Sequence, residues 1–519
     1  MTANSISTVY NGQMIDLANL PPVAFEEFRN MIVSAVKAGA RLNALFGAVL
    51  PKAGAPGSDA KQVTGDLRLF AVLAQDSAGT LNVTSTLVGD AYPALTPDCP
   101  QAHWFEREIA EQWGVKPEGH PWLKPIRFHR SYREGRDAWT RSAEIAIQPG
   151  VVNFFTMTGD EVHEVSVGPV HAGIIEPGHF RFQCHGEKVY HLEISLGYQH
   201  RGVERALVGG PDKRTIPYME TLAGDTTIGY ALAYCEAVEA LAGCRVPARA
   251  QTLRAIALEL ERLANHTGDI GALAGDVGYL PTANFCGRIR GDFLNMTALI
   301  CGNRFGRGLV RPGGILFDLD ETRRMELSKR LRQAGEDVSN AIELLWEAPS
   351  VRSWFDNTGT VSRETALELG LVGVAARASG IERDVRAQFP SGIYRFAHIP
   401  VSLYHTGNVF SRAHVRWMEI QRSIAFIFDQ LKVLPEGPVR TPTGPLAANC
   451  AVVSLTEGWR GEICHVALTD AAGRFAHYKV VDPSFHNWMG LALALRDQQI
   501  SDFPLCNKSF NLSYCGHDL

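Results

Sequence analysis

The chain has 519 residues, of which 45% are hydrophobic and 20% are charged, and its formal net charge is −5. Such a chain is long enough for two or three soluble domains, and its negative charge argues against a dedicated nucleic-acid binder. No run reaches the roughly 18–20 apolar residues that span a bilayer, and no secretory signal is visible. We therefore expect a cytoplasmic protein, with a peripheral place on the inner face of the cell membrane left open.

The first part of the chain, to about residue 130, predicts a small α/β unit. Apolar residues at helical spacing over 25–50 predict a helix that ends near Pro51. Alternating segments at 67–75 and 80–88 predict two strands joined by a turn, and residues 103–113 predict a short helix. The polar, Arg-rich residues 131–149 have the composition of an interdomain linker.

From about residue 150 the pattern changes to strands followed by long helices. Strands are predicted at 161–167, 178–184 and 188–193, and a hairpin at 460–469 and 474–481. Helices are predicted at 215–243, 249–274, 284–305, 319–346 and 409–433. The helix over 249–274 places Leu253, Ile256, Leu260 and Leu263 on one stripe, as a bundle core requires. The predicted fold class is α+β: a small N-terminal α/β domain followed by a large helical-bundle domain with peripheral β-strands and hairpins.

Ten cysteines are scattered along the chain, and no two of them form a C-x-x-C pair. Iron–sulfur and zinc sites usually contain at least one such close pair. We therefore expect buried reduced thiols and no cluster bound by this chain. Six histidines fall between residues 163 and 200, but their spacing follows strand and turn positions, so we predict no metal site there.

Two sets of motifs resemble components of respiratory complex I. The first set resembles the signature of the C-type subunit and contains Trp104-Phe105-Glu106-Arg107-Glu108-Ile109 and Gly119-His120-Pro121-Trp122-Leu123. The second set resembles the D-type, quinone-site subunit and the large subunits of nickel–iron hydrogenases. It contains Gly168-Pro169-Val170-His171, Glu176-Pro177-Gly178-His179-Phe180, His200-Arg201-Gly202-Val203-Glu204, Glu261-Arg262 with Asn265-His266, Arg311-Pro312-Gly313-Gly314, and Val481-Asp482-Pro483-Ser484-Phe485.

In order, these motifs cover nearly the whole chain from about residue 100. The chain thus resembles a fused C/D-type large subunit of the family that contains energy-converting, formate-hydrogenlyase-like nickel–iron hydrogenases and complex I. The resemblance implies a domain like the C-type subunit over residues 1–135 and a linker over 136–155. It implies a domain like the D-type subunit, or like a hydrogenase large subunit, over 156–519.

Most metal-binding cysteines of the hydrogenases have no counterpart here. Their first pair, R-x-C-G-x-C, falls on Thr221-Leu222-Ala223-Gly224-Asp225-Thr226, and their second pair, D-P-C-x-x-C, falls on Ser513-Tyr514-Cys515-Gly516-His517-Asp518. A nickel–iron centre needs soft thiolates, and only Cys515 keeps a sulfur among the four positions. We therefore expect that this chain carries no nickel–iron centre and does not activate hydrogen.

The quinone donors of complex I also lack counterparts. The D-type subunit offers a histidine and a tyrosine to the quinone headgroup, and the resemblance places Ile175 and Gly224 at these two positions. Tyr230, Tyr514 or His517 would have to substitute from nearby, so a bound quinone stays possible.

The family's proton-passing glutamate is retained as Glu176. Among the apolar neighbours Ile174, Ile175 and Pro177 it would exchange protons near neutral pH. The alternative is a carboxylate that pairs with Arg181 or with a backbone amide.

Two further carboxylates, Asp225 and Asp518, fall in the two segments of the vacated metal site. With Glu176 and Cys515 they would form a proton relay or bind a hard cation, and the alternative for Asp225 is a helix cap. We predict that the catalytic residues are Glu176, Asp225, Cys515, His171 and His517. We predict that the cofactor-contacting residues are Tyr230, Tyr514 and Asp518.

The predicted function is that of a large peripheral-arm subunit of a membrane-associated, complex I-like oxidoreductase. It would couple electron transfer from a partner, the B-type iron–sulfur subunit of complex I, to proton handling or to ion translocation by membrane subunits. The partner should dock against residues 168–182 and the segments near 225 and 515. Two alternatives stay open: a quinone reductase with displaced donors, and a scaffold without redox chemistry, which a cavity filled by Tyr230 or Tyr514 would favour.

Overall fold

The computed structural model describes residues 6–50, 65–142, 144–171 and 175–519. It is 43% helix and 18% strand, arranged as several small sheets and many helices, which confirms the predicted α+β class.

The N-terminal part is built on an antiparallel sheet with the strand order β1-β5-β4-β3. Helix α1 packs against this sheet through β5, and helix α2 packs against β3. The elements are β1 (Ser7–Val9), β2 (Met14–Asp16), α1 (Phe25–Lys37), β3 (Arg41–Val49), β4 (Leu67–Gln75), β5 (Thr80–Val88), β6 (Ala91–Pro93), α2 (His103–Trp113) and β7 (Lys116–Glu118). The predicted strands at 67–75 and 80–88 and the helix at 103–113 are confirmed with their bounds.

The predicted helix over 25–50 is wrong in its second half. Helix α1 ends at Lys37, and Gly39 follows with a φ of 98°, a conformation that favours glycine. Residues 41–49 then form β3, which is buried along nearly its whole length and pairs with β4. Helical and strand periodicity look alike in a short apolar run, and here strand pairing decides the outcome.

A second, three-stranded sheet with the order β10-β9-β8 carries the first hydrogenase-like motifs. Its strands are β8 (Val162–Val167), β9 (His179–His185) and β10 (Lys188–Ser195). This confirms the three predicted strands to within two residues at each end. The loop between β8 and β9 holds His171 and Glu176.

The helical part follows the sheet. Its elements are α3 (Val203–Leu207), α4 (Thr215–Glu220), α5 (Thr227–Leu241), α6 (Ala248–Asp276), α7 (Leu280–Cys301), β11 (Val310–Arg311), β12 (Gly314–Ile315), α8 (Glu321–Trp346), α9 (Pro349–Asn357), α10 (Arg363–Leu369), α11 (Gly373–Ala378), α12 (Val385–Gln388) and α13 (Val409–Lys432). Helix α6 packs against α7 and α13, and its stripe Leu253, Ile256, Leu260 and Leu263 is fully buried. Within the part of the chain that the structure describes, no helix combines the length and apolar character of a membrane span.

One predicted helix, over 215–243, is wrong because it is broken. It consists of α4 and α5, separated by the turn Thr221–Thr226. That turn is the first of the two segments in which metal ligands are replaced.

The C-terminal part returns to an antiparallel sheet with the order β15-β14-β13-β2, so the N-terminal strand β2 completes a C-terminal sheet. Its own elements are β13 (Cys450–Glu457), β14 (Glu462–Thr469), β15 (Phe475–Val481), α14 (Pro483–Ala494), α15 (Phe503–Phe510) and α16 (Tyr514–Asp518). The predicted hairpin is confirmed as β14 and β15.

Buried ion pairs also join the N-terminal part to the rest. Nζ of Lys479 in β15 lies 2.6 Å from the Glu108 carboxylate in α2 and 3.0 Å from that of Glu204 in α3. Arg41 in β3 pairs with Glu462 in β14 at 2.6 Å. Separating such partners would leave a buried charge without a counter-ion. The two parts therefore share an interior, and the domain boundaries at 135 and 155 stay a prediction.

Candidate functional site

The turn Thr221–Thr226 is held in place from several sides. Its own chain closes it with a hydrogen bond from the Thr226 amide to the Ala223 carbonyl at 2.9 Å. The Arg201 guanidinium donates to the carbonyl oxygens of Thr221, at 2.7 Å, and Leu222, at 3.0 Å. Asn265 of α6 donates to the Asp225 carbonyl at 2.9 Å. This network fixes the direction in which the Asp225 side chain leaves the turn.

Asp225 is paired with Arg460, in the turn between β13 and β14. Each carboxylate oxygen of Asp225 accepts from one Nη of Arg460 at 2.7 Å, and the Thr226 hydroxyl donates to the same carboxylate at 2.9 Å. The Asp225 side chain is 33% exposed, whereas that of Arg460 is 6% exposed. Burial disfavours the charged carboxylate, but the Arg460 charge overrides this and holds the pKa of Asp225 below its ordinary value. Asp225 is therefore a fixed negative charge near neutral pH.

The Cys515 thiol lies 3.5 Å from the Ser513 hydroxyl and within electrostatic reach of the Glu176 carboxylate. Burial raises the pKa of Cys515 to about 12, and the charge of Glu176 together with its hydrogen bond to the thiol adds to this rise. The charge of Asp225 raises the thiol pKa further, so the three side chains lie within electrostatic reach of one another. Glu176 also accepts from the Tyr514 amide at 3.2 Å. We call Glu176, Asp225, Arg460 and Cys515 the carboxyl–thiol cluster.

The structure distinguishes between the alternatives considered for these two carboxylates. Arg181 pairs with Glu164 at 2.6 Å, so the backbone amide of Tyr514, and not Arg181, is the partner of Glu176. The neighbour Ile174 lies outside the described residues. Asp225 does not cap α5, because its oxygens are committed to Arg460 and Thr226.

The two tyrosines considered as quinone donors are committed to internal contacts. The Tyr230 side chain is fully buried and its hydroxyl donates to Asp482. The Tyr514 ring packs edge-on against Trp488, 4.9 Å away, and its hydroxyl accepts from Asn507 at 3.4 Å. The Tyr230 proton is thus already donated, and the Tyr514 side chain is buried.

His517 and Asp518, in the same short helix as Cys515, are fully buried in the protein interior. The two carboxylate oxygens of Asp518 accept from the backbone amides of Gly197, at 2.8 Å, and Gln199, at 2.9 Å. The His517 ring is fully buried, stacks on Phe485, and has its pKa lowered by burial. Asp518 therefore anchors the C-terminal segment to the loop after β10, and His517 packs that segment against Phe485.

His171 lies at the base of the loop between β8 and β9. Its Nε2 contacts the Gly178 carbonyl oxygen at 2.8 Å, and its ring meets that of Phe180 edge-on. This histidine fastens the two ends of the loop that carries Glu176.

The donor set does not fit a thiolate-bound nickel–iron pair. Ala223 offers a methyl group, and the Thr226 hydroxyl is occupied by Asp225, Arg460 and Trp459. The oxygens of Asp518 are taken by backbone amides, which leaves the Cys515 thiol alone. Among the described residues, no three His, Cys, Asp or Glu side chains converge as a metal site.

Glu261 of α6 is a residue of the site that the sequence did not single out. Its carboxylate oxygens accept from the backbone amides of Ile228, at 2.7 Å, and Gly229, at 3.2 Å, at the start of α5. The motif Glu261-Arg262 was visible in the sequence, but nothing in it indicated that the carboxylate caps another helix.

The arrangement defines a class of protein: a large subunit of the complex I and hydrogenase type, with a part like the C-type subunit in the same chain. Residues 276–449 match the family model of the respiratory-chain NADH dehydrogenase 49 Kd subunit, and residues 55–137 match that of the 30 Kd subunit. The cluster residues lie outside both matched ranges.

Sequence comparison with characterised proteins supports the same class of protein. The chain is 28% identical over 477 residues to formate hydrogenlyase subunit 5 of Escherichia coli, which covers 88% of this chain and 83% of that protein. It is 32% identical over 351 residues to the carbon monoxide-induced hydrogenase of Rhodospirillum rubrum, covering 67% and 97%. It is 30% identical over 369 residues to NADH-quinone oxidoreductase subunit 4 of Thermus thermophilus, covering 66% and 90%.

The chain belongs to the family of complex I 49-kDa-type subunits and related hydrogenase large subunits, with the 30-kDa and 49-kDa types of domain fused in one polypeptide. This confirms the resemblance drawn from the motifs.

Proposed function

We propose that the chain is the large peripheral subunit of a membrane-associated oxidoreductase in which the carboxyl–thiol cluster exchanges protons during electron transfer. The electron would arrive on the iron–sulfur cluster of a partner that resembles the B-type subunit of complex I, and one proton would bind at Glu176 for each electron. In this proposal the chain holds no nickel–iron centre, and membrane subunits lie next to the complex on the inner face of the membrane.

The observation that carries the proposal is the contact of the Glu176 carboxylate with the Cys515 segment: it accepts from the amide of the preceding residue, Tyr514, at 3.2 Å, and its charge acts on the Cys515 thiol. Because the Cys515 pKa is raised to about 12, the thiol keeps its proton and acts as a hydrogen-bond donor. The Asp225–Arg460 pair keeps its charges, so Glu176 is the carboxylate of the cluster to which we assign the proton exchange.

Metal analysis combined with redox titration of the purified complex tests the proposal. We expect far less than one nickel per chain, and a midpoint potential of the partner's iron–sulfur cluster that falls by up to about 59 mV per pH unit. The Glu176→Gln variant should flatten that slope. Glu164→Gln is the matched control, because Glu164 pairs with Arg181 and lies outside the cluster. Stoichiometric nickel, or an equal slope in Glu176→Gln, would overturn the proposal; a slope of zero in every protein would favour the scaffold alternative.

A further inference from the structure

Glu261 is a buried carboxylate without a cationic partner among the described residues. Its side chain is only 8% exposed. The guanidinium of its neighbour Arg262 is directed elsewhere, to the Glu259 carboxylate at 3.0 Å and to the carbonyl oxygens of Glu457 and Gly458. An isolated buried carboxylate is costly to keep charged, so it tends to hold a proton.

The same carboxylate caps the helix that follows the cluster's turn. The N-cap residue of α5, Thr226, makes no side-chain cap, and the first amides are satisfied by Glu261 from α6 instead. Anionic groups are favoured at a helix N-terminus, which opposes the effect of burial. The two backbone hydrogen bonds favour the charged form, and by reciprocity ionisation of Glu261 strengthens them.

The opposing effects of burial and of the two backbone hydrogen bonds leave Glu261 able to gain and lose a proton in the physiological pH range. Burial is the largest influence, the two amide bonds oppose it, and the charge of Asp225 adds to it, which raises the pKa of Glu261 to about 8. The charged groups that face it are Asp225 from the turn and Arg262 from its own helix. Asn265, one turn further along α6, holds the Asp225 carbonyl, so α6 contacts the turn at two points.

We propose that Glu261 is a second proton-binding group of the site and that its protonation state sets how firmly the turn Thr221–Thr226 is held. The event is a proton exchange with solvent, in which the carboxylate becomes a carboxylic acid and no electron moves. A protonated Glu261 has one acceptor oxygen fewer for the first amides of α5, so the start of the helix and the attached turn loosen. The coupling to redox chemistry rests on the proposed function, but the titration of Glu261 does not.

Hydrogen exchange of the full chain, read by mass spectrometry and corrected for intrinsic exchange rates, tests the inference. In the wild-type protein, peptides that cover 221–231 should gain protection about tenfold as the pH rises through about 8. Glu261→Gln keeps an acceptor oxygen but has no ionisable proton, so its protection should show no such step. Glu236→Gln is the matched control, since it removes a half-buried glutamate with a raised pKa from α5 itself and should keep the step.

No step in the wild-type protein, or a step that persists in Glu261→Gln, would overturn the inference. If Glu261→Gln does not fold, the start of α8 in the wild-type protein serves as an internal control. That helix is capped by Asp320, whose pKa is lowered, so its first amides should show no step near pH 8. A step near pH 8 there as well would mark a general pH effect and refute the role of Glu261. If the pH-dependent protection step is seen at α5 but the complex binds no proton on reduction, the proposed function alone is refuted. If the complex binds a proton on reduction but the protection step is missing, this inference alone is refuted.

Discussion

Replacing Asp225 with asparagine tests whether the Asp225–Arg460 pair organises the turn. The change leaves the Arg460 guanidinium, 6% exposed, without its anionic partner. Breaking a buried pair costs about 3–5 kcal/mol. The cost here is reduced because the Asp225 side chain is 33% exposed to water, and because Arg460 retains the Asn511 carbonyl at 2.6 Å and the Trp459 ring at 3.9 Å. We therefore expect the free energy of unfolding to fall by about 2–3 kcal/mol.

Urea denaturation at neutral pH measures this change. Asp212→Asn is the matched control, because Asp212 pairs with Arg214 at the surface and the change there should leave stability unaltered. The folded pKa of Asp225 lies below its ordinary value of 3.8, so the stabilisation by the pair is present above that pH and is lost as the pH falls through the folded pKa. The difference between Asp225→Asn and wild type should accordingly shrink in acid.

Equal unfolding free energies for Asp225→Asn and wild type at neutral pH would refute this reasoning. So would a difference that stays constant down to about pH 2, since the ion pair would then not be its source.

Three further predictions concern the interior and the thiol. Lys479→Met should lower the free energy of unfolding by about 3–5 kcal/mol in urea denaturation, because the buried Glu204 loses its cation and Glu108 is left with Arg127; a loss below about 1 kcal/mol would contradict this. His465, whose pKa burial lowers from 6.5 to about 3, stays neutral in the folded state, so stability is lost as the pH falls below about 6.5. In thermal melts, His465→Gln should reduce this loss of stability with falling pH by about 1 kcal/mol per pH unit. An unchanged pH dependence of stability would count against this prediction. Cys515 should react slowly with iodoacetamide at about pH 8, because its raised pKa keeps the thiol protonated. The reaction should be several-fold faster in Glu176→Gln, and equal rates would show that Glu176 does not raise the thiol pKa.

Much of the fold could be predicted from local pattern. Strands β4 and β5 and helix α2 have their predicted bounds because each combines clear periodicity with turn residues at its ends. The two failures have long-range causes. Residues 41–49 form a strand because β4 is available to pair with them, and the helix over 215–243 is broken by contacts from Arg201, Asn265 and Arg460.

The candidate site was predictable only in part. The motif positions brought Glu176, Asp225 and Cys515 to attention, and the structure brings these three together. Their partners could not be read from the sequence, because Arg460 lies 235 residues from Asp225 and Glu261 caps a helix 33 residues before it. His517 and Asp518 share the sequence neighbourhood of Cys515, but both are fully buried, and Asp518 accepts from the backbone amides of Gly197 and Gln199. Their side chains therefore stabilise the protein interior and do not belong to the cluster.

Proton uptake on reduction is the most direct test of the central claim, that the carboxyl–thiol cluster exchanges protons during electron transfer. The purified complex is reduced in weakly buffered solution and the protons bound per electron are counted with a pH indicator. We predict close to one proton per electron at neutral pH in the wild-type complex and in Glu164→Gln, and a clear loss in Glu176→Gln. Equal uptake in Glu176→Gln and wild type would contradict the account.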